Sequence, residues 1–456
     1  MALLDSTDPR PVHFVGIAGA GMSALAELFL RRGVPITGCD ANPASATDLL
    51  RLGVSVEAHD PAHASAARAF VVTSAMPKDH PELVRARELG VPVIRRAEAL
   101  GEVTAGRELV AIAGTHGKTT TTVMTAAALS AAGREPTTLA GGRVSAWRGN
   151  LLPGGDRLYV VEADEYDRSF LALSPTVAVV NNIEADHLDI YADLADIKSA
   201  FARFVRGARS IVLCADDPGA NSLPTPSSTE VIRFGIDSPD ARVLAKGLTL
   251  TRAGAAFRLV YDGEDLGGVE LRVPGRHNVL NALAALSAGL AVGASPVLMA
   301  KGLATFAGVE RRFQLLGEER GIVVVDDYAH NPGKVAAVLA TARIAYPRRR
   351  VIAAFQPHLF TRTRDFAREF GAALAAADAV FLADIYPARE RPIAGVTSSL
   401  VADALVAAGG TLAWQGARTA LADALAYSVR EGDVVLVVGA GDITKTGPEL
   451  LERLRR

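Results

Sequence analysis

Short β-branched runs alternate with Ala- and Leu-rich stretches along almost the whole 456-residue chain. That alternation is the signature of parallel α/β sheets, in which strands are buried on both faces and joined by helical crossovers. In the first series, strands are predicted at 13–17, 35–40, 70–74 and 91–94, with helices at 22–32, 44–52 and 81–89. A second series places strands at 109–113, 158–162, 177–181, 211–214 and 231–234. Residues 242–273 break the rhythm: apolar residues alternate between glycines and predict an antiparallel meander, followed by a long helix at 277–291. A third series has strands at 322–326, 351–355, 380–382, 411–414 and 434–438. Stretches rich in charge or glycine at 102–107 and 308–313 divide the chain into 1–106, 107–311 and 312–456.

Composition narrows the classes. With 48 Lys+Arg against 50 Asp+Glu there is no global basic field, so no nucleic-acid partner is expected. The cysteines, Cys39 and Cys214, are too few and too far apart for a disulfide framework or a Cys-rich zinc site. The first ten residues carry Asp5, Asp8 and Pro9 where a signal peptide would be basic and then apolar. The apolar stretch 279–296 is interrupted by Asn281 and is short for a span. A cytoplasmic chain with no membrane partner is the expectation.

Two loops have the chemistry to bind phosphate. Gly114, Thr115, His116, Gly117, Lys118, Thr119 and Thr120 follow an apolar strand and open an Ala-rich helix. Small residues let backbone N–H groups converge on phosphate oxygens, Lys118 adds a point charge, and the Thr119 hydroxyl can ligate Mg²⁺. The full P-loop pattern would place a first glycine where Ile112 stands. The second loop, Gly16, Ala18, Gly19, Ala20, Gly21 and Met22, sits at the first strand–helix turn, with Asp40 at the end of the next strand. Its spacing is GxxGxG and not the dinucleotide GxGxxG, so it reads as an NAD site, a close-packed turn or the cradle of another pyrophosphate. Two such loops in two βα blocks favour a transferase or ligase over a simple ATPase.

Other polar groups gather at predicted strand ends. Glu162 closes a strand beside the Gly114 loop and suits a Mg²⁺ bridging ATP phosphates, and His187 follows the neighbouring strand as a candidate second metal ligand. Asn278 and Asn281 open a helix, and their amides can read an adenine edge. Arg312 lies at the second boundary and can act as a charge clamp. In the third block, His330, His358 and Arg362 stand on adjacent strand-end loops and can hold an amino-acid carboxylate and orient its amine.

The runs 114–121, 162–165, 182–187, 277–281 and 326–332, with 16–22, 355–363, 384–389 and 439–443, resemble in order the Mur ligases of peptidoglycan synthesis. The resemblance covers nearly the whole chain. It implies three domains: a Rossmann-like N-terminal domain for a UDP-sugar, a P-loop-type central ATPase domain with the antiparallel excursion, and a Rossmann-like C-terminal domain contributing to an amino-acid site. It implies UDP-N-acetylmuramate, L-alanine and ATP as substrates and Mg²⁺ (two ions) as cofactor; a monomer or homodimer is the expectation for the assembly. It reassigns the Gly16 loop, with Asp40 and Ser74, to the UDP-sugar. By the same resemblance Lys118 contacts ATP phosphates, Thr119 and Glu162 hold one Mg²⁺ and His187 the other, and Asn278 and Asn281 face adenine. Arg312 reaches the γ-phosphate, Asp327 the ribose, and Tyr328, His330, His358 and Arg362 surround L-alanine; Lys118, Arg312, His330 and His358 are the catalytic candidates. Leu359 stands where some members carry Arg, and Cys39 where Ser is frequent. Lys198 does not match the spacing of the carbamoylated lysine used by related ligases.

Overall fold

The computed structural model describes residues 3–73, 76–187, 190–388 and 390–456. They fold as two compact units, one of Met1–Leu248, Ala256–Leu271 and Asn278–Val309, the other of Thr249–Ala255, Arg272–His277 and Glu310–Arg456. Three sheets carry the architecture.

The first sheet comprises β1 (Val12–Val15), β2 (Ile36–Cys39), β3 (Val56–Glu57), β4 (Ala69–Val72) and β5 (Val93–Arg95), in the order β3-β2-β1-β4-β5 and parallel throughout. Register sets His13 beside Thr37 and Phe70, and Val15 beside Cys39 and Val72. Neighbours in register share a face of the sheet. The helix Pro81–Glu88 and the 3-10 turn Pro61–Ser65 cover that face with Leu83, Ala86 and Ala64. The helix predicted at 44–52 is split into a 3-10 turn, Pro43–Ser45, and a short helix, Thr47–Arg51, because Ala46 between them leaves helical geometry.

The second sheet has ten strands in the order β15-β14-β13-β12-β11-β10-β6-β9-β7-β8. They are β6 (Glu108–Ala113), β7 (Thr137–Val144), β8 (Gly149–Leu152), β9 (Leu158–Glu162), β10 (Val177–Val180), β11 (Ser210–Cys214), β12 (Glu230–Gly235), β13 (Val243–Thr251), β14 (Gly254–Tyr261) and β15 (Glu264–Leu271). β6 lies between β10 and β9, and both pairings are parallel. The excursion at 242–273 is β13 to β15. β7 and β8 form an antiparallel edge pair that the sequence pattern did not reveal, since Gly141 and Gly142 interrupt the alternation and the register shifts between Leu139 and Val144. The helix Arg276–Ala291 is buried along most of its length. Among the described residues no helix is long and apolar enough to cross a membrane.

The third sheet has β16 (Gln314–Glu319), β17 (Ile322–Asp327), β18 (Arg350–Phe355), β19 (Ala379–Ala383), β20 (Leu412–Gly416) and β21 (Asp433–Val438), ordered β16-β17-β21-β18-β19-β20. Only the edge strand β16 pairs antiparallel. β21 separates β17 from β18, so the loops after these three strands emerge side by side at one edge. That edge is where open α/β sheets bind ligands.

Candidate active site

β6 runs straight into Gly114, and the helix Lys118–Ala131 begins after Gly117. Ile112 is part of the sheet, paired with Glu162 on β9 and Val179 on β10, so the loop starts two residues later than a full P-loop would. Both glycines are required. Gly114 has φ +138°, and a Cβ there would sit 3.0 Å from Asn181 Cβ and 3.1 Å from the Asn182 nitrogen. Gly117 has φ +81°, and its Cβ would strike Asn281 Oδ1. The loop is pinned from the next strand end. Thr115 N–H donates to the Asn182 carbonyl (3.1 Å), His116 N–H to Asn182 Oδ1 (2.7 Å), and the Thr115 hydroxyl accepts from Glu184 N–H (2.9 Å).

Lys118 turns back over the loop. Its ammonium donates to the Gly114 carbonyl and to Glu165 Oε2, each at 2.7 Å, with Asp164 at 3.9 Å. Burial works against its charge, but Glu165 and Asp164 outweigh it and raise its pKa. Glu165 is 3% exposed. Burial alone would raise its carboxyl; Lys118 and His187 hold it at about 2. His187 adopts φ +56°, with Nε2 3.5 Å from Glu165 Oε1 and its ring edge-on to Tyr166 at 5.1 Å. Glu165 is therefore the hub between Lys118 and His187. The sequence reading selected Glu162 from the same acidic run and assigned no role to Glu165.

Glu162 ends β9 and accepts from Gly141 N–H. A Cβ on Gly141 would fall on the Glu162 carboxylate, and one on Gly142 would lie 3.2 Å from Thr119 Cγ2. The bare Gly141-Gly142 segment thus leaves room for Glu162 and Thr119 together. Thr120 is buried on the same helix. Asn278 and Asn281 are both 7% exposed. Asn281 accepts from the Thr121 hydroxyl (3.1 Å) and donates to Asn278 Oδ1 (3.3 Å), so its amide is engaged in holding the loop.

In the first sheet, Gly16 (φ +78°) and Ile17 both donate to the Cys39 carbonyl, at 2.8 and 3.1 Å. Asp40 accepts from Ala18 N–H and from Asn42 N–H, each at 3.0 Å, so one oxygen supports the glycine loop and the other the turn that follows β2. The helix Ala20–Arg31 starts at Ala20 with Met22 buried. Arg96, which the sequence reading did not single out, places its guanidinium 3.1 Å from where a Gly21 Cβ would stand. Its signal was the basic pair at the end of β5, on the ligand-binding edge of the sheet. Ser74 lies outside the described residues.

In the second unit, Arg311 and Arg312 both lie over the Tyr328 ring, at 4.9 and 5.1 Å. Arg311 donates to the Gly439 carbonyl at 2.6 Å. Asp327 accepts from Phe313 N–H and Ala329 N–H, each at 2.7 Å, and burial raises its carboxyl pKa. His330 Nδ1 lies 3.0 Å from the Tyr328 carbonyl, its ring is 6.1 Å from His358, and His358 stacks on Tyr386 at 5.8 Å. Leu359 has φ +70° and is buried at the start of the helix Phe360–Asp365, which carries Arg362. Tyr328, His330 and His358 are therefore brought together, and Arg362 stands one turn beyond them in the chain.

Three family models cover the chain: the Mur ligase family catalytic domain at residues 11–108, the Mur ligase middle domain at 112–289 and the Mur ligase glutamate ligase domain at 311–441. The chain belongs to the Mur ligase family. A UDP-N-acetylmuramate–L-alanine ligase from Acidothermus cellulolyticus is 45% identical over 97% of this chain and 95% of its own. One from Cutibacterium acnes is 46% identical over 98% and 97%. Among solved structures, a UDP-N-acetylmuramate–alanine ligase from Thermotoga maritima superimposes with a TM-score of 0.83 at 30% identity, covering 98% of this chain and 99% of that one. A murein peptide ligase from Psychrobacter arcticus follows at 0.74 and 25%, covering 98% of each. The three-domain Mur ligase fold accounts for the three sheets and for the order of the strand-end motifs.

Proposed function

We propose that this chain is an ATP-dependent ligase of peptidoglycan synthesis that joins L-alanine to the carboxylate of UDP-N-acetylmuramate. The observation that carries the reading is the Gly114–Lys118 loop with the half-buried Lys118 ammonium folded back onto it and paired to buried Glu165, in a chain 45% identical to an alanine ligase over 97% of its length. The working division is 1–106 for the UDP-sugar, 107–311 for ATP and 312–456 for the amino acid. A cytoplasmic enzyme fits substrates of this kind.

The muramoyl carboxylate attacks the γ-phosphorus, the bond to the β-phosphate oxygen breaks, and ADP leaves an acyl phosphate. The alanine amine then attacks the acyl carbon, and the tetrahedral intermediate expels phosphate. Lys118 neutralises charge on the transferring phosphoryl group, and Arg312 supplies a second cation. Glu165 keeps Lys118 charged and aimed at the loop until phosphate replaces it. By the family resemblance Asn278 and Asn281 would face adenine and Asp327 the ribose. The first turn of the helix Ala20–Arg31, at Ala20 and Gly21, presents backbone N–H groups to the UDP pyrophosphate, with Arg96 adding charge. Tyr328, His330, His358 and Arg362 hold the alanine carboxylate and orient its amine, and the two imidazoles are the groups available to take the amine proton.

The residues present fit Mg²⁺. Thr119 and Glu162 are oxygen donors sharing the space left by Gly141 and Gly142, and His187 stands beside the Glu165 carboxylate. Thr119 and Glu162 would hold one ion and His187 the second. Bound there, the ions would offset the negative charge of the ATP phosphates.

An omission assay tests the reading: ADP release must require UDP-N-acetylmuramate and an amino acid together. ADP release independent of either identifies a simple ATPase, and none at all a nucleotide-sugar sensor. The structural likeness to a murein peptide ligase supports a second reading, addition of a peptide; competition between L-alanine and a tripeptide separates the two.

A further inference from the structure

Four metal-binding side chains converge under the first sheet, far along the chain from one another. His13 on β1, Cys39 on β2, His63 on the 3-10 turn Pro61–Ser65 and Glu82 on the helix Pro81–Glu88 bring one donor atom each within 4.8 Å of all the others. His13 Nε2 is 3.3 Å from Cys39 Sγ, Cys39 Sγ is 3.0 Å from Glu82 Oε2, and His63 Nδ1 is 3.1 Å from Glu82 Oε1. A tetrahedral zinc site with ordinary bond lengths separates its N, O and S donors by roughly 3.3–3.6 Å. The contacting pairs stand at 3.0–3.3 Å, and the whole set of four donors closes to that geometry by moving its widest pairs in from within 4.8 Å.

The surroundings are arranged as they are around metal-bound imidazoles, whose second nitrogen is held by another group. His13 Nδ1 is 2.9 Å from the Thr37 hydroxyl, which directs Nε2 toward the sulfur. His63 Nε2 is 3.3 Å from Glu57 Oε2, which directs Nδ1 toward Glu82. His59 Nδ1 lies 3.1 Å from Cys39 Sγ as a further donor on the same side. His13, Cys39 and Glu82 are buried, and His63 is half-buried. His13 would ligate through the Nε2 that already faces the sulfur, and Cys39 by losing its thiol proton to the incoming cation.

We propose that His13, Cys39, His63 and Glu82 form a binding site for a borderline divalent transition metal, with Zn²⁺ as the type. A thiolate with two imidazoles excludes Mg²⁺ and Ca²⁺, which take oxygen donors. Binding exchanges the Cys39 thiol proton for a metal–sulfur bond, with no change of oxidation state for a d¹⁰ ion. The site lies directly beneath the glycine loop, because the Cys39 carbonyl accepts the Gly16 and Ile17 N–H bonds. A bound cation cross-links β1, β2 and the covering helix, and stiffens the strand end on which that loop rests.

The test uses untagged full-length protein, stripped with a chelator and kept in saturating Mg²⁺ to occupy the ATP site. Co²⁺ titration is expected to give one equivalent bound, tetrahedral visible bands and a thiolate-to-cobalt charge-transfer band, all displaced by Zn²⁺. Cys39→Ser is expected to abolish the charge-transfer band, and Cys214→Ser and His187→Ala to retain it. Glu82→Gln, which keeps the size and removes the charge, is expected to weaken Co²⁺ at least tenfold. Should Cys39→Ser fold poorly, the wild-type melting temperature still decides, since Zn²⁺ is expected to raise it. Absence of a charge-transfer band and of any Zn²⁺ shift in the wild type overturns the proposal, as does a band that survives Cys39→Ser.

Discussion

Lys118 Nζ lies 2.7 Å from Glu165 Oε2, and this pair holds the phosphate loop in readiness. Lys118 is 15% and Glu165 3% exposed at the side chain. Lys118→Ala removes the phosphate cation and leaves a buried carboxylate with His187 alone. ATP turnover is expected to fall by a factor of about a hundred or more, with UDP-N-acetylmuramate affinity unchanged by calorimetry. Ordinary turnover in the variant would remove Lys118 from the mechanism.

The same pair sets a pH dependence. Glu165 titrates at about 2 in the folded chain against an ordinary 4.5. A depressed carboxyl contributes stability that is present above about pH 4.5 and lost as pH falls toward 2. Glu165→Gln is expected to flatten this acid limb in a plot of melting temperature against pH, and to lower kcat about tenfold by freeing Lys118. An acid limb identical to wild type would show that the carboxylate is not coupled to folding.

Mg²⁺ dependence tests the two ligand assignments. Glu162→Ala and His187→Ala are each expected to raise the Mg²⁺ concentration for half-maximal activity or to eliminate activity. An unchanged titration in either variant counts against that residue as a ligand.

Gly117→Ala tests the loop geometry. At φ +81° and against Asn281, an added methyl is strained and crowded. The expected effect is a raised ATP KM together with a stability loss of about 1–3 kcal/mol, measured by denaturant melts. A variant with wild-type ATP KM would show that the loop tolerates a different path.

In the second unit, Arg362→Ala is expected to raise the L-alanine KM about tenfold with smaller effects on the other substrates. Equal weakening of all three would point to a structural role for the guanidinium.

The parts of this fold that repeat a local pattern were legible in the chain. Buried parallel strands such as Leu158–Glu162 and Ile322–Asp327 are continuous apolar runs, and the Gly114 loop announces itself by composition. Two edge elements were not: β7 and β8 hide behind Gly141, Gly142 and Gly149, and β16 is a charged strand with a bulge before Gly317. Within the site, spacing cannot say which acid of the run 162–165 faces which partner. Strand ending puts Glu162 against Gly141, whereas the turn after it carries Glu165 back to Lys118. The cluster of His13, Cys39, His63 and Glu82 was invisible for a similar reason. Its members share no motif spacing, and parallel-strand register together with one helix makes them neighbours.

The central claim is amide formation from L-alanine, and product stoichiometry tests it most directly. With UDP-N-acetylmuramate, ATP and Mg²⁺ present, phosphate release and the mass of the uridine product are followed with L-alanine, glycine and L-serine in parallel. One phosphate per molecule of the L-alanine adduct, with L-alanine turned over fastest, is the predicted result. Phosphate released without adduct, or no release with any of the three amino acids, would contradict the account.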